Sequence, residues 1–270
     1  MKLLPFVLTL TIGVAPFARA QAPAAPAKPG APAAPATPAA TPFPLPPQAP
    51  DVAAPKMDAK TGQPQAPFIA THEKYVATAK EGKGQLLFLG DSITAGWAGG
   101  GKEVWAKSFS QWTPVNFGIG GDRTQHVLWR IENGELEGIK PKVVVLMIGT
   151  NNTNSDAPDK IAEGVENIVK TIRDKTGSKV LLLGVFPRED KAGDKEKTKM
   201  YQDKIGKINE RIAKLDDGGK TVRYVDLKDK FVESDGTISD KIMPDKLHLS
   251  KEGYQREADA LKEPLAEMTK

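Results

Sequence analysis

The sequence predicts one three-layer α/β domain of about 200 residues, built on a mostly parallel five-stranded sheet. Three observations carry this expectation. Across residues 68–270, short apolar runs alternate with longer amphipathic stretches, the order expected of strand and helix taken in turn. The runs are apolar throughout rather than at every second position, as in strands covered by helices on both faces. Small and polar residues gather just after the runs, where an open α/β sheet binds its ligands.

The chain begins outside that domain. Met1-Lys2, the mostly apolar stretch from Leu3 to Phe17, and Ala18-Arg19-Ala20 supply a charged start, an apolar segment and an A-x-A cleavage site. This pattern predicts a secretory signal peptide over residues 1–20, cut before Gln21, and hence a secreted or periplasmic protein. The apolar run is short for a membrane span and is broken by Pro5, Gly13 and Pro16, so no transmembrane span is expected. Residues 21–67 are rich in Ala and Pro and almost free of large apolar side chains, which predicts a semi-rigid, disordered tether. The folded domain is expected over residues 68–270.

Within the domain the expected strands are "QLLFLG" (85–90), "PVNFGI" (114–119), "KVVVLMIG" (142–149), "KVLLLGVF" (179–186) and "TVRYVDL" (221–227). Helical patterns fall at about 101–112, 123–133, 158–175 and 195–215, and a closing one runs from Ser250 to Met268 with Ser250 as N-cap. Of the three histidines, His72 lies in the amphipathic stretch after the tether and is expected to be solvated. His126 lies on a helix near a glycine turn, where packing or hydrogen bonding is expected rather than proton transfer.

Composition excludes several classes of function. The chain has no cysteine, so there is no disulfide, no thiolate metal site and no lipid-bearing cysteine. The formal net charge is +4, and cleavage at Ala20 would remove Lys2 and Arg19, leaving +2. The remaining lysines are interspersed with Asp and Glu, so nucleic acid is not an expected partner. No motif sets the oligomeric state.

The strand ends carry the chemistry. The first expected strand ends at Gly90-Asp91-Ser92, the second at Gly118-Ile119-Gly120-Gly121-Asp122, and the third at Gly149-Thr150-Asn151-Asn152, while Asp245-Lys246-Leu247-His248 precedes the last helix. Each alone reads as a turn or a cap. Together they offer one hydroxyl, one imidazole with a carboxylate three residues before it, and amide donors at two further strand ends. A serine hydroxyl needs a base to take its proton, and imidazole suits that task near neutral pH. Asp245 can hold the ring of His248 in one tautomer. Glycine-turn N–H groups and an asparagine amide can hold the oxyanion formed on attack. This is the inventory of an acyl-transfer site, which needs no metal and no cofactor.

The ordered blocks "GDSIT", "NFGIGGD", "GTNN" and "DKLHLS" resemble the successive signatures of the SGNH, or GDSL, hydrolases, a flavodoxin-like superfamily of esterases. The likeness covers nearly all of the chain after the tether. It implies Ser92 as nucleophile with Asp245 and His248, and an oxyanion hole made by the N–H groups of Ser92 and Gly121 and the side-chain amide of Asn151. More narrowly, residues 116–152 are similar to the catalytic subunits of the intracellular platelet-activating-factor acetylhydrolases. That likeness implies an acyl pocket walled by Ile93, Thr150 and Leu247, small enough to prefer acetyl. With the signal peptide, the expected substrate is a short-chain ester, an acetyl group on a carbohydrate ahead of a lipid. The alternatives are a lysophospholipase or a lipid esterase like the acetylhydrolase, a thioesterase or amidase, and a non-catalytic glycan-binding module.

Overall fold

The five apolar runs form five strands: β1 (Leu86–Gly90), β2 (Pro114–Gly118), β3 (Val143–Met147), β4 (Lys179–Leu183) and β5 (Val222–Val225). The computed structural model describes Leu45 and residues 48–270. The expected signal peptide and most of the expected tether lie outside the described residues. All strand pairs are parallel, in the order β2-β1-β3-β4-β5.

Helices alternate with the strands: α1 (Ala66–Lys80), α2 (Ser92–Ala95), α3 (Lys102–Ser108), α4 (Thr124–Glu132), α5 (Pro158–Thr176), α6 (Lys195–Ile212), α7 (Lys228–Phe231) and α8 (Lys251–Met268). Ser250 caps α8, its hydroxyl accepting the Gly253 N–H at 3.2 Å. The sheet divides the core in two, which explains why the strands are apolar at every position. Leu87, Leu89, Val144, Leu146 and Val180 pack with Val127, Ile131, Val165, Ile168 and Ile208 of α4, α5 and α6. Leu86, Phe88, Val143, Val145 and Leu181 pack with Val104 of α3 and Tyr254, Leu261 and Leu265 of α8 on the other face. Each such aliphatic side chain contributes roughly 1.5–3 kcal/mol through burial.

The chain leaves β1 towards β2 on one side and reaches β3 on the other. The order therefore reverses between β1 and β3, which opens a crevice at their carboxyl ends. Ser92 follows β1 and Asn151 follows β3, so both stand at that crevice.

Two expectations change. His72 is not solvated: it is 6% exposed on α1, and its Nδ1 lies 2.9 Å from Glu135 Oε1. Its ring packs 4.9 Å from that of Trp129, so α1 covers α4 and the buried imidazole is satisfied by a carboxylate from beyond that helix. The expected tether also ends earlier than residue 67. Thr124 Oγ1 donates to Pro50 O at 2.7 Å, Ala54 N to Gln125 O at 3.1 Å, and Asn167 Nδ2 to Asp51 O at 3.0 Å. The segment buries few apolar groups, but its backbone satisfies polar side chains of α4 and α5, and such pairing has no signature in composition. Among the described residues no helix is long and apolar enough to cross a membrane.

Candidate active site

Ser92 stands at a sharp strand-to-helix corner. It is the first residue of α2, so its N–H has no partner within the helix. Asp91 makes the corner, its Oδ1 accepting the Ile93 N–H at 2.9 Å. Only glycine fits immediately before it, because a Cβ on Gly90 would lie 2.3 Å from both Met147 O and Thr94 Oγ1.

His248 arrives from the loop ahead of α8. Lys246 has φ +65°, a left-handed conformation that folds the short D-x-x-H segment back on itself. Asp245 Oδ1 then accepts the backbone N–H of His248 at 2.7 Å and of Leu247 at 3.2 Å. Its Oδ2 meets His248 Nδ1 at 2.7 Å, and His248 Nε2 lies 2.9 Å from Ser92 Oγ. A carboxylate at Nδ1 holds the proton there and leaves Nε2 to accept the serine O–H. Burial alone would raise the Asp245 carboxyl, but the hydrogen bonds from His248 outweigh it and hold the group below its ordinary value.

The Gly120-Gly121 turn lies against this corner: a Cβ on Gly120 would stand 4.0 Å from Ser92 Cβ. Gly121 has φ +73°, which explains glycine there, and its N–H has no hydrogen-bond partner among the described residues. Asn151 Nδ2 donates to Asp122 O at 2.8 Å and lies 3.5 Å from Asp91 Oδ2. One amide hydrogen is thus committed, and the other makes only a long contact. Asn152 belongs to the scaffold instead. It accepts the Thr124 N–H at 2.9 Å and donates to Gln125 Oε1 and Asp156 Oδ2 at 3.0 and 2.9 Å.

The three residues expected to wall an acyl pocket are placed around the same corner. Ile93 and Thr150 are each 1% exposed, Ile93 within the core beneath α8 and Thr150 with an unpartnered buried hydroxyl. Leu247 is half-buried and packs on the core that contains Ile93. A separate cavity of about 550 Å³ lies between α6 and residues 224–236; none of the three lines it.

Other residues, for which no catalytic role was expected, also shape the site. Arg130 is fully buried and pairs with both Asp122, at 2.9 Å, and Glu135. Asp91 is also fully buried, and burial pushes its carboxyl up to about 7. Arg188 stacks 4.0 Å from the Tyr201 ring and donates to Thr150 O at 3.4 Å. Burial drives His126 down to about 3, so it is neutral, with Nδ1 accepting the Arg123 N–H at 3.1 Å and Nε2 facing Gln48 Oε1 at 3.3 Å. The one local signal for these groups was an acidic residue directly after the glycine turn. Arg130 and Arg188 sit in ordinary amphipathic and strand-end contexts.

A profile of the GDSL-like lipase/acylhydrolase family matches residues 88–256, which span β1 through the first part of α8. The chain belongs to this family. It is an ester-hydrolysing GDSL-type enzyme, and among its relatives is the platelet-activating factor acetylhydrolase IB subunit alpha1 of Bos taurus, 38% identical over 188 residues, 69% of this chain and 77% of that one. The alpha2 subunit of Rattus norvegicus is 37% identical over 202 residues, covering 74% of this chain and 84% of its own. Solved GDSL structures share the fold. A GDSL-like lipase from Bacteroides thetaiotaomicron superposes with a TM-score of 0.58 at 21% identity, over 73% of this chain and 98% of its own. A lipase/acylhydrolase from Enterococcus faecalis does so with a TM-score of 0.51 at 19% identity, over 68% and 95%.

Proposed function

We propose that this GDSL hydrolase is an exported serine esterase that removes acetyl groups from a carbohydrate through Ser92, His248 and Asp245. The observation that carries the mechanism is the unbroken chain from Ser92 Oγ to His248 Nε2 at 2.9 Å and from His248 Nδ1 to Asp245 Oδ2 at 2.7 Å. Ser92 Oγ attacks the ester carbonyl while His248 Nε2 takes its proton. The carbonyl oxygen becomes an anion facing the N–H groups of Ser92 and Gly121 and the Asn151 Nδ2 hydrogen that otherwise makes only the 3.5 Å contact to Asp91 Oδ2. His248 returns the proton to the departing alcohol. Water, activated by the same imidazole, then releases acetate from Ser92.

The N-terminal pattern supports export, and the His248 and Asp245 side chains, 43% and 37% exposed, leave room for a large acetylated polymer. A second reading, a lipid ester, is favoured by the relatives, which are named for platelet-activating factor. The test is release of acetate from a panel of acetylated glycans and lipids, with p-nitrophenyl acetate as the common reference. We expect turnover to disappear in Ser92→Ala and His248→Ala while circular dichroism is unchanged. Parent-like rates in Ser92→Ala would sink the mechanism. Release of acetate from the lipids but not from the glycans would favour the second reading.

A further inference from the structure

We infer that Lys56, from the segment ahead of the family domain, is a positioning residue for the oxyanion turn: its ammonium orients the Gly120–Gly121 peptide so that the Gly121 N–H faces the reacting carbonyl. The inference rests on the esterase reading and adds to it a residue outside the matched span of 88–256.

Lys56 Nζ donates to Gly120 O at 2.8 Å. That oxygen and the Gly121 N–H belong to one planar trans peptide and point in opposite directions. Holding the oxygen therefore aims the N–H, and an ammonium on the oxygen polarises the peptide and makes its N–H a stronger donor. Such a hold matters at this position, because glycine has more backbone freedom than any other residue.

The same ammonium bears on a second donor. It lies 2.8 Å from Asp122 Oδ1. That oxygen has no hydrogen bond of good geometry, so the attraction is that of charge on charge. Asp122 Oδ2 is taken by Arg130 Nε at 2.9 Å, and Asp122 O receives Asn151 Nδ2 at 2.8 Å. Lys56 and Arg130 thus clamp the residue that orients Asn151.

The lysine is held firmly. Its side chain is 15% exposed and its Nζ lies 5.5 Å from the centre of the Phe68 ring, an environment that strengthens its pairings. Its backbone is pinned on either side, by Gln65 N donating to Lys56 O at 2.8 Å and Ala54 N donating to Gln125 O at 3.1 Å.

The test compares Lys56→Met, which keeps the unbranched stem and loses the charged end, with Lys56→Arg, which keeps charge and donors, in the full chain acting on p-nitrophenyl acetate. We expect Lys56→Met to lower kcat roughly ten- to hundred-fold, less than the loss of a whole oxyanion donor, with KM within roughly two-fold. Lys56→Arg should recover most of that loss. Phosphylation of Ser92 by diethyl p-nitrophenyl phosphate, whose phosphoryl oxygen takes the same donors, should slow in parallel. Ile172→Val, in the core on α5, serves as the stability control and should lower Tm without lowering kcat. A kcat for Lys56→Met within roughly two-fold of the parent, or a loss confined to KM, overturns the inference. Ser92→Ala separates the two readings. Inactive Ser92→Ala beside fully active Lys56→Met removes the role of Lys56 alone, whereas active Ser92→Ala removes the esterase mechanism itself.

Discussion

Asp91 makes the stability of this enzyme depend on pH in a direction that can be worked out in advance. Its side chain is fully buried beside Ser92, and burial lifts its carboxyl from 3.8 to about 7. Between those values the folded chain holds a proton that the unfolded chain has released, so stability falls as pH rises. The contribution is full below the unfolded value, is lost through the folded one, and is level above it. At about 1.4 kcal/mol per pH unit, the ionised carboxylate costs the fold about 4 kcal/mol above pH 7, more than half of it lost between pH 5 and pH 8. Asp91→Asn keeps an oxygen to accept the Ile93 N–H, a bond of 2.9 Å in the parent, and removes the ionisation. Urea unfolding followed by the fluorescence of the four tryptophans, at several pH values, measures both chains. The variant should gain on the parent by about 2–3 kcal/mol from pH 5 to pH 8. A stability difference that stays constant across that range would refute the reasoning.

Three further outcomes are expected. Asn151→Ala should lower kcat roughly a hundred- to a thousand-fold with a smaller change in KM, the typical loss for one oxyanion donor; a loss wholly in KM would make Asn151 a ground-state contact. Arg130→Met leaves Asp122 and Glu135 buried without their shared cation, so urea unfolding should show a loss of about 3–5 kcal/mol, and unchanged stability would show that the pair is not holding the fold. If the buried Ile93 and Thr150 and the half-buried Leu247 close the acyl side, kcat/KM should fall from p-nitrophenyl acetate to butyrate to octanoate, because each excluded methylene forgoes about 0.8 kcal/mol of burial. A rate rising through octanoate would place the acyl chain in another groove.

Much of the fold was legible because strand burial and turn chemistry leave local traces. Leu86 to Leu89 are apolar at every position because alternate side chains face two different cores, and the glycines at 90, 118 and 149 mark where three strands leave the sheet. Ser92, Gly121, Asn151, Asp245 and His248 stand in short motifs that name the residue types of an acyl-transfer site before any contact is known. What local pattern could not supply is which residues meet. Ser92 and His248 are 156 positions apart, and their 2.9 Å contact exists only because parallel pairing in the order β2-β1-β3-β4-β5 sets β1 inside the sheet between β2 and β3, with α8 packed on one face. His72 took its partner from Glu135, and the segment from Gln48 to Gln65 took its place on α4 and α5, through hydrogen bonds between distant residues that no periodicity records. Lys56 is the clearest case: in sequence it is one lysine in a proline-rich stretch, and only the folded chain puts its ammonium on the carbonyl of Gly120, because charge pairs form through space while periodic patterns report only the neighbours along the chain.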